Sequence, residues 1–372
     1  MPFYFPLRWN FSPEEGQRTA ANLLNLRRQI RKEIPHRTVN DTLLMATWNI
    51  RDFDSNKFRH GPRLKESFFY IAEIISAFDI VAVQEVNADL SALKTVMQIL
   101  GPNWDYITTD KTDGKSGNQE RMAFVYDTRK IDFQKIAGEI VLPQSKLVGD
   151  DRQFARTPFL VSFQSGWFRF MICTVHLYYG SSTGEKLQRR VDEIDAIAGF
   201  LAKRAEDESA NYILLGDFNI VSPEHKTMDA LTRHGFVVPD ELAQAPSNML
   251  LNKHYDQIGF KARDGQVKFG GHSGVFNFYE TLFREEDVDI YRDLMTNEAK
   301  LEIGEDGLPT DSEENSKYYL SYWRTFQMSD HLPMWVELKI DFAEEYLQKL
   351  RMASFAMDSV HPLSFEMPQL DD

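Results

Sequence analysis

The sequence predicts a layered α/β fold with mixed sheets. Three observations carry that expectation. Apolar runs of strand length recur along the chain, amphipathic helical stretches separate several of them, and other runs follow one another like hairpin pairs. Hydrophobic residues make up 42% of the 372 positions, enough for a sizeable core.

The elements follow in order. Ser12-Pro13-Glu14-Glu15 starts a helix: Ser12 caps, Pro13 fits the first turn and Glu15 completes a capping box. Ala20, Leu23, Leu24, Leu26 and Ile30 continue at helical spacing, and RRQIRK places cations at the C-terminal end of the dipole before Pro35 stops the helix. From Leu43, LLMATWNI reads as a strand, SFFYIAEIISAF as an amphipathic helix, DIVAVQEV as a strand and LSALKTVMQIL as a helix. RMAFVYD, FLVSFQ, FRFMICTVHLYY and NYILLGDFN read as strands, with a helix around Lys186–Lys203 between the last two. KHYDQIGF and LPMWVELKI add two more strands. These readings divide the chain into an N-terminal helical extension (1–40), one large domain (41–342) and a C-terminal tail (343–372). The acid-rich stretch 284–317 reads as a partly helical surface insertion.

Composition narrows the function. A net charge of −14 argues against broad binding to nucleic acid or anionic membrane, while leaving room for a local basic groove or a bound metal ion. The single cysteine, Cys173, lies in the apolar run FMICTV. It excludes an intrachain disulfide and a cysteine-based zinc site and reads as a core residue. The N-terminus lacks a basic start followed by an apolar stretch, and no run reaches the ~20 apolar residues of a membrane span. The expectation is a soluble cytoplasmic protein without stable membrane insertion.

Polar residues of catalytic type gather at strand ends. Asn49 ends TWN, Glu85 lies in VAVQEV, His176 in TVHL, Asp217 and Asn219 in LLGDFN, Asp256 in YDQIGF, and Asp330 and His331 precede the last strand in SDHLP. Each has an ordinary structural explanation, GDFN as a turn above all. Their recurrence on otherwise apolar strands favours one shared site. Residues two apart on an extended chain face the same way, so Asp217 and Asn219 are expected to aim at one point. Glu85, Asn49 and Asp330 offer the hard oxygens that Mg2+ prefers, with Mn2+ as a substitute. The two histidines offer acid, base or hydrogen-bond donor roles. The set suits metal-assisted phosphodiester hydrolysis.

The ordered set WN, QE, TVHL, GDFN and SDHLP resembles the endonuclease/exonuclease/phosphatase superfamily, the fold of deoxyribonuclease I, over about Leu43 to Ile340. The resemblance implies a four-layer α/β/β/α sandwich with the site at one edge of the paired sheets. It makes Glu85 the metal-binding glutamate with Asn49 beside it, and Asp330 an acidic neighbour of the metal. Asp217 and Asn219 become the pair that orients nucleophile and phosphate, and His331 a catalytic histidine oriented by Asp256. The deoxyribonuclease-I branch is the most similar. It implies His176 as a second histidine partnered by Glu120, and Arg156 in FARTPF as a phosphate contact. Two positions depart from that branch. Asn87 stands where it has a groove-reading arginine, and its sugar-phosphate tyrosine is replaced near Asn118, the candidate substrate contact there.

A divalent-metal phosphodiesterase, a nuclease first, is therefore the leading expectation. Lys111, Lys115 and Arg121 are candidates to line its groove. Its substrate is a phosphodiester, with nucleic acid among the candidates. The alternatives are a phosphatase or phosphodiesterase for a small or lipid phosphate, and a binding module that has lost activity.

Overall fold

The computed structural model describes residues 2–112, 119–144, 147–148, 153–262, 266–296 and 300–352. Asn118 and Lys115, two of the candidate substrate contacts, lie outside the described residues, as does the tail beyond 352.

The outer layers include four helices, α1 (Pro13–Glu33), α2 (Lys65–Ile75), α3 (Ser91–Leu100) and α4 (Gly184–Glu208). The strands are β1 (Thr42–Phe53), β2 (Ile80–Val86), β3 (Trp104–Thr108), β4 (Arg121–Asp127), β5 (Asp132–Glu139) and β6 (Phe159–Ser165). After them come β7 (Phe168–His176), β8 (Tyr212–Asp217), β9 (Asp256–Lys261), β10 (Phe269–Val275) and β11 (Met334–Lys339). One sheet has the order β10-β11-β1-β2-β4-β3 and the other β5-β6-β7-β8-β9. The β1–β2 and β7–β8 pairs are parallel and the other pairs antiparallel.

The layering follows from strand alternation. In β1, Leu43 and Met45 enter the core between the sheets, where they join Ile80, Phe124, Phe163 and Ile258. Leu44, Ala46, Trp48 and Ile50 face the other way, into the core shared with α1, α2 and α3. In β8, Ile213 and Leu215 enter the central core, while Tyr212 and Leu214 pack with Ile194 and Leu201 of α4. The order helix, sheet, sheet, helix is the sandwich expected. Cys173 lies in the α4-side core, fully buried, and burial pushes its thiol pKa up.

The capping box of α1 forms as expected: Glu15 N–H donates to Ser12 Oγ and Ser12 N–H to Glu15 Oε2. Leu23 and Leu26 are buried in the same core as Trp48, so α1 is part of the outer layer. The helix expected around Lys186–Lys203 is longer at both ends, from Gly184 to Glu208. Within 284–317 the described residues include the short helices Val288–Tyr291 and Glu313–Tyr318, with Tyr291 and Asn315 buried.

Candidate active site

Strand register builds the site. The parallel β7–β8 pair sets His176 beside Asp217, and the antiparallel β8–β9 pair sets Asp217 beside Asp256. Three polar groups thus line one edge of the second sheet. In the first sheet, Asn49 of β1 pairs with Gln84, one residue before Glu85. Glu85 sits where the register of β2 shifts against both neighbours, and its φ is +58°. A left-handed glutamate at a bulge re-aims its side chain, a strain tolerated where the carboxylate is used. His331 lies just ahead of β11, and its carbonyl accepts the Trp48 indole N–H at 3.0 Å.

Asp217 is the hub. Its Oδ2 accepts Asn49 Nδ2–H at 3.0 Å and lies 3.6 Å from His176 Nε2 and 3.8 Å from His331 Nε2. Each imidazole is backed by another carboxylate. His331 Nδ1 is 2.8 Å from Asp256 Oδ2, which also accepts from Ser247 Oγ at 2.7 Å. His176 Nδ1 is 3.2 Å from Glu120 Oε2, an ion-pair distance without hydrogen-bond alignment. The hub is nearly closed to solvent, because Asp217, Asp256 and both histidines are buried.

The electrostatics follow from these pairings. Burial disfavours a charged His331, but Asp256 and Asp217 outweigh it and hold the imidazole well above its ordinary pKa. Burial likewise works to raise Glu120; His176 and Arg156 overcome it and hold the carboxyl well below the usual range. Asp217, Asp256 and His331 bring ligand-type atoms within 4.8 Å of one another. In this trio His331 Nδ1 is already engaged by Asp256 Oδ2 at 2.8 Å and its Nε2 faces Asp217, so little donor capacity is left for an ion.

A metal fits better beside it. Asn49 Nδ2–H donates to Glu85 Oε1 at 3.0 Å, and Asp52 N–H donates to Glu85 Oε2 at 2.9 Å. Asn49 Oδ1 is buried with no hydrogen-bond partner among the described residues. An orphaned oxygen next to a carboxylate is the donor set of a hard divalent cation. Asp330 is half-buried and adjacent in sequence to His331, and its carbonyl accepts Met249 N–H at 2.8 Å.

GDFN is a turn, and it lies at the candidate site. The strand ends at Asp217, and Asn219 has φ +54°, so the two side chains do not converge through extended geometry. A turn joins them: Asn219 N–H donates to Asp217 Oδ1 at 2.9 Å, while Asn219 Nδ2–H donates to Leu177 O at 3.1 Å. Gly216 is required before it. At φ +131°, a Cβ there would lie 2.2 Å from the Val175 carbonyl oxygen.

Arg156 is buried and donates from Nε to Glu120 Oε2 at 2.7 Å, so it reaches His176 through Glu120. Asn87 donates its N–H to Phe53 O at 2.8 Å. Arg121 donates to Thr109 O and to Asp110.

Several supporting residues had no reading in the sequence. Ser329 Oγ donates to Asn49 O at 2.6 Å and accepts His331 N–H at 3.0 Å, tying the end of β1 to the loop before β11. Its place in SDHLP was the available signal. Arg190 of α4 is buried and donates to Asn219 O at 2.7 Å and to Ser181 O at 2.7 Å. A buried arginine looks like any other in a helix of mixed charge, and Ser247 stands in an unremarkable loop. The Tyr255 ring packs 5.4 Å from the His331 ring at 33°.

A model of the Endonuclease/Exonuclease/phosphatase family matches residues 46–274. The chain is 27% identical over 186 residues to Deoxyribonuclease-1 of Canis lupus familiaris, a match spanning 48% of this chain and 60% of that protein. The chain therefore covers less than two thirds of that relative. An endonuclease/exonuclease/phosphatase family protein from Bacteroides thetaiotaomicron superposes with TM-score 0.51 at 20% identity, over 81% of this chain and 98% of that one. D. rerio TDP2, solved with a single strand DNA product, gives 0.50 at 12% identity, over 80% and 98%. At these identities the two structures establish likeness of fold. Among the described residues, no helix is long and apolar enough to cross a membrane.

Proposed function

The chain belongs to the endonuclease/exonuclease/phosphatase family, hydrolases of phosphoesters, and from that premise we propose that it is a divalent-metal-dependent phosphodiesterase, in the first instance a nuclease. One observation carries the reading. A single oxygen, Asp217 Oδ2, faces the Nε2 atoms of two imidazoles, each backed by its own carboxylate, beside the Glu85–Asn49 pair.

Glu85 and Asn49 would hold the ion, Mg2+ or Mn2+, with Asp330 as the third candidate. When bound, the ion supplies a Lewis acid for a phosphoryl oxygen and offsets negative charge at the site. The residues of the chain do the rest. Asp217 orients a water and accepts its proton as attack begins. His331, held by Asp256, donates to a phosphoryl oxygen, and His176 with Glu120 gives a proton to the ester oxygen that leaves as its P–O bond breaks. Asn219 keeps one Nδ2–H on Leu177 O, leaving its second for the substrate phosphate.

Hydrolysis of bis-p-nitrophenyl phosphate, single-stranded DNA, duplex DNA, RNA and inositol phosphates, with and without Mg2+ and chelator, tests this. Metal-dependent cleavage of a diester is the expected result. No hydrolysis of any diester overturns it. Turnover of monoesters alone would favour the second reading, a phosphatase for a small phosphate, which the net charge of −14 supports by repelling polyanions.

A further inference from the structure

The loop after β1 carries alternating cationic and aromatic side chains, Lys57, Phe58, Arg59 and His60. His60 is buried, and two exposed rings lie roughly parallel to its own. Phe58 lies 6.4 Å away at 30° and Tyr322 5.7 Å away at 23°. Phe58 is 51% exposed and Tyr322 49%, so both leave an apolar face open to solvent. Single exposed aromatics are ordinary on protein surfaces. Two that each lie against the same buried imidazole form a cluster.

The loop itself is braced. Gly61 N–H donates to Asn56 Oδ1 at 2.9 Å, Asn56 Nδ2–H returns to Gly61 O at 3.2 Å, and Thr296 Oγ1–H donates to the same carbonyl at 2.9 Å. His60 Nδ1 pairs with Tyr318 Oη at 2.9 Å. Burial first, then Arg51 and Lys300 nearby, hold the His60 imidazole below its ordinary pKa.

Lys57 connects this stack to the catalytic centre. Its Nζ lies 5.1 Å from the Phe58 ring centre, 3.6 Å from Asp52 Oδ1 and 3.8 Å from Glu120 Oε1. Glu120 is the carboxylate beside His176. The ammonium is thus drawn towards the site without a short hydrogen bond to either acid, in reach of an incoming phosphate.

We propose that Lys57, Phe58, His60 and Tyr322 form a subsite for a nucleobase of a nucleic-acid strand, Lys57 meeting a phosphate next to the scissile one and the rings stacking the base. The inference rests on the nuclease reading above and makes its substrate one with accessible, unstacked bases. Stacking on a fixed ring tolerates any base, since each has a π-face. It also sets two cations, Lys57 and Arg59, in the same loop as Phe58 and His60, in a chain whose net charge is −14.

Binding, measured apart from catalysis, tests it. Fluorescence anisotropy on the full chain carrying Asp217→Asn would compare a single-stranded DNA oligomer with an abasic oligomer of equal length and charge. The base-bearing oligomer is expected to bind about tenfold tighter, the worth of one base–aromatic stack. Adding Phe58→Ala and Tyr322→Ala should make the two oligomers bind alike, while Phe58→Tyr and Tyr322→Phe retain the difference. Equal binding of both oligomers before those changes overturns the subsite. So does a base preference that survives the alanines. Base-dependent binding, lost in the alanine variants, together with no cleavage of either oligomer by the unmodified chain, supports the subsite and refutes the nuclease reading instead.

Discussion

Asp217 carries two duties on separate oxygens, and that separation makes its role testable. Oδ1 closes the turn through Asn219 N–H, and Oδ2 faces Asn49 and both histidines. In Asp217→Asn the amide oxygen can still accept the turn hydrogen bond. Turnover should fall by ~10^2–10^4-fold, as for loss of a general base, with melting within a few degrees of wild type, read by calorimetry. Asn219→Asp should slow hydrolysis for another reason, by setting a second negative charge against the phosphate. If both variants hydrolyse at wild-type rate and only melt differently, GDFN is a turn and nothing more. Around His331, Asp256→Asn removes the charge that keeps the imidazole protonated and should cost ~10^2-fold or more in kcat. Ser247→Ala removes only one donor to that carboxylate and should cost about tenfold or less. Equal losses would mean that Ser247 does more than hold Asp256. Chelator should abolish activity with Mg2+ restoring it, and Glu85→Ala should not respond to restoration. Most of these residues were legible because their motifs sit on apolar strands, where a polar side chain has little other reason to be. Ser247 and Arg190 were not, because they act through a fold contact that only the assembled loops create.

At the scale of elements, the strands that the sequence revealed are the buried ones. β1, β2, β4, β6, β7, β8 and β11 read as apolar runs because both their faces meet a core. β3, β5 and β10 had no such signal, and all three are sheet edges, whereas β9, the remaining edge, was readable because its residues are buried. An edge strand with one face in solvent can be built from DFQKIAGE or FGGHSGV, which no periodicity separates from loop. The end of the first sheet away from the catalytic edge is held by charge. Arg37, following α1, pairs with Asp79 at 2.6 Å and with Asp127 at 2.5 Å, and Lys130 meets Asp79 at 2.7 Å. Asp79 also accepts Leu44 N–H at 2.8 Å, so the cluster ties α1 to β1, β2 and β4. Burial would raise Asp127, but Arg129 and Arg37 hold it well below the usual carboxylate range. Its folded pKa is thus lower than its unfolded one. The stabilisation is complete above the ordinary aspartate value of ~3.9 and is lost as pH falls from there towards the folded value. Melting temperature should therefore hold through neutral pH and drop below about pH 4. Asp127→Asn should melt lower at pH 7 and show a shallower acid drop. A drop of unchanged steepness would assign the acid sensitivity to other groups.

The whole molecule imposes one further condition. Asn49 and Glu85 belong to one sheet, and His176, Asp217 and Asp256 to the other, so the site exists only while the central core holds the sheets together. Activity and tryptophan fluorescence should then be lost at the same urea concentration, as one cooperative transition. Inactivation well before the fluorescence change would mean that the catalytic edge opens by itself. The sequence also placed a probe for that opening in the second sheet. Cys173 stands in β7 between Leu160 of β6 and Leu214 of β8, with no exposed surface. Only a thiolate reacts with a disulfide reagent, and this thiol is both covered and held protonated. Labelling must wait for the strands to part. With ~5–15 kcal/mol holding a typical domain closed, the native chain should take up its one label at least ~10^3-fold more slowly than a free thiol. The rate should be first order in chain and, at high reagent, independent of reagent. A single uptake curve would then time how often the sandwich comes apart. A phosphate ligand that bridges both sheets should slow that clock, and one that touches a single sheet should leave it running at its former pace.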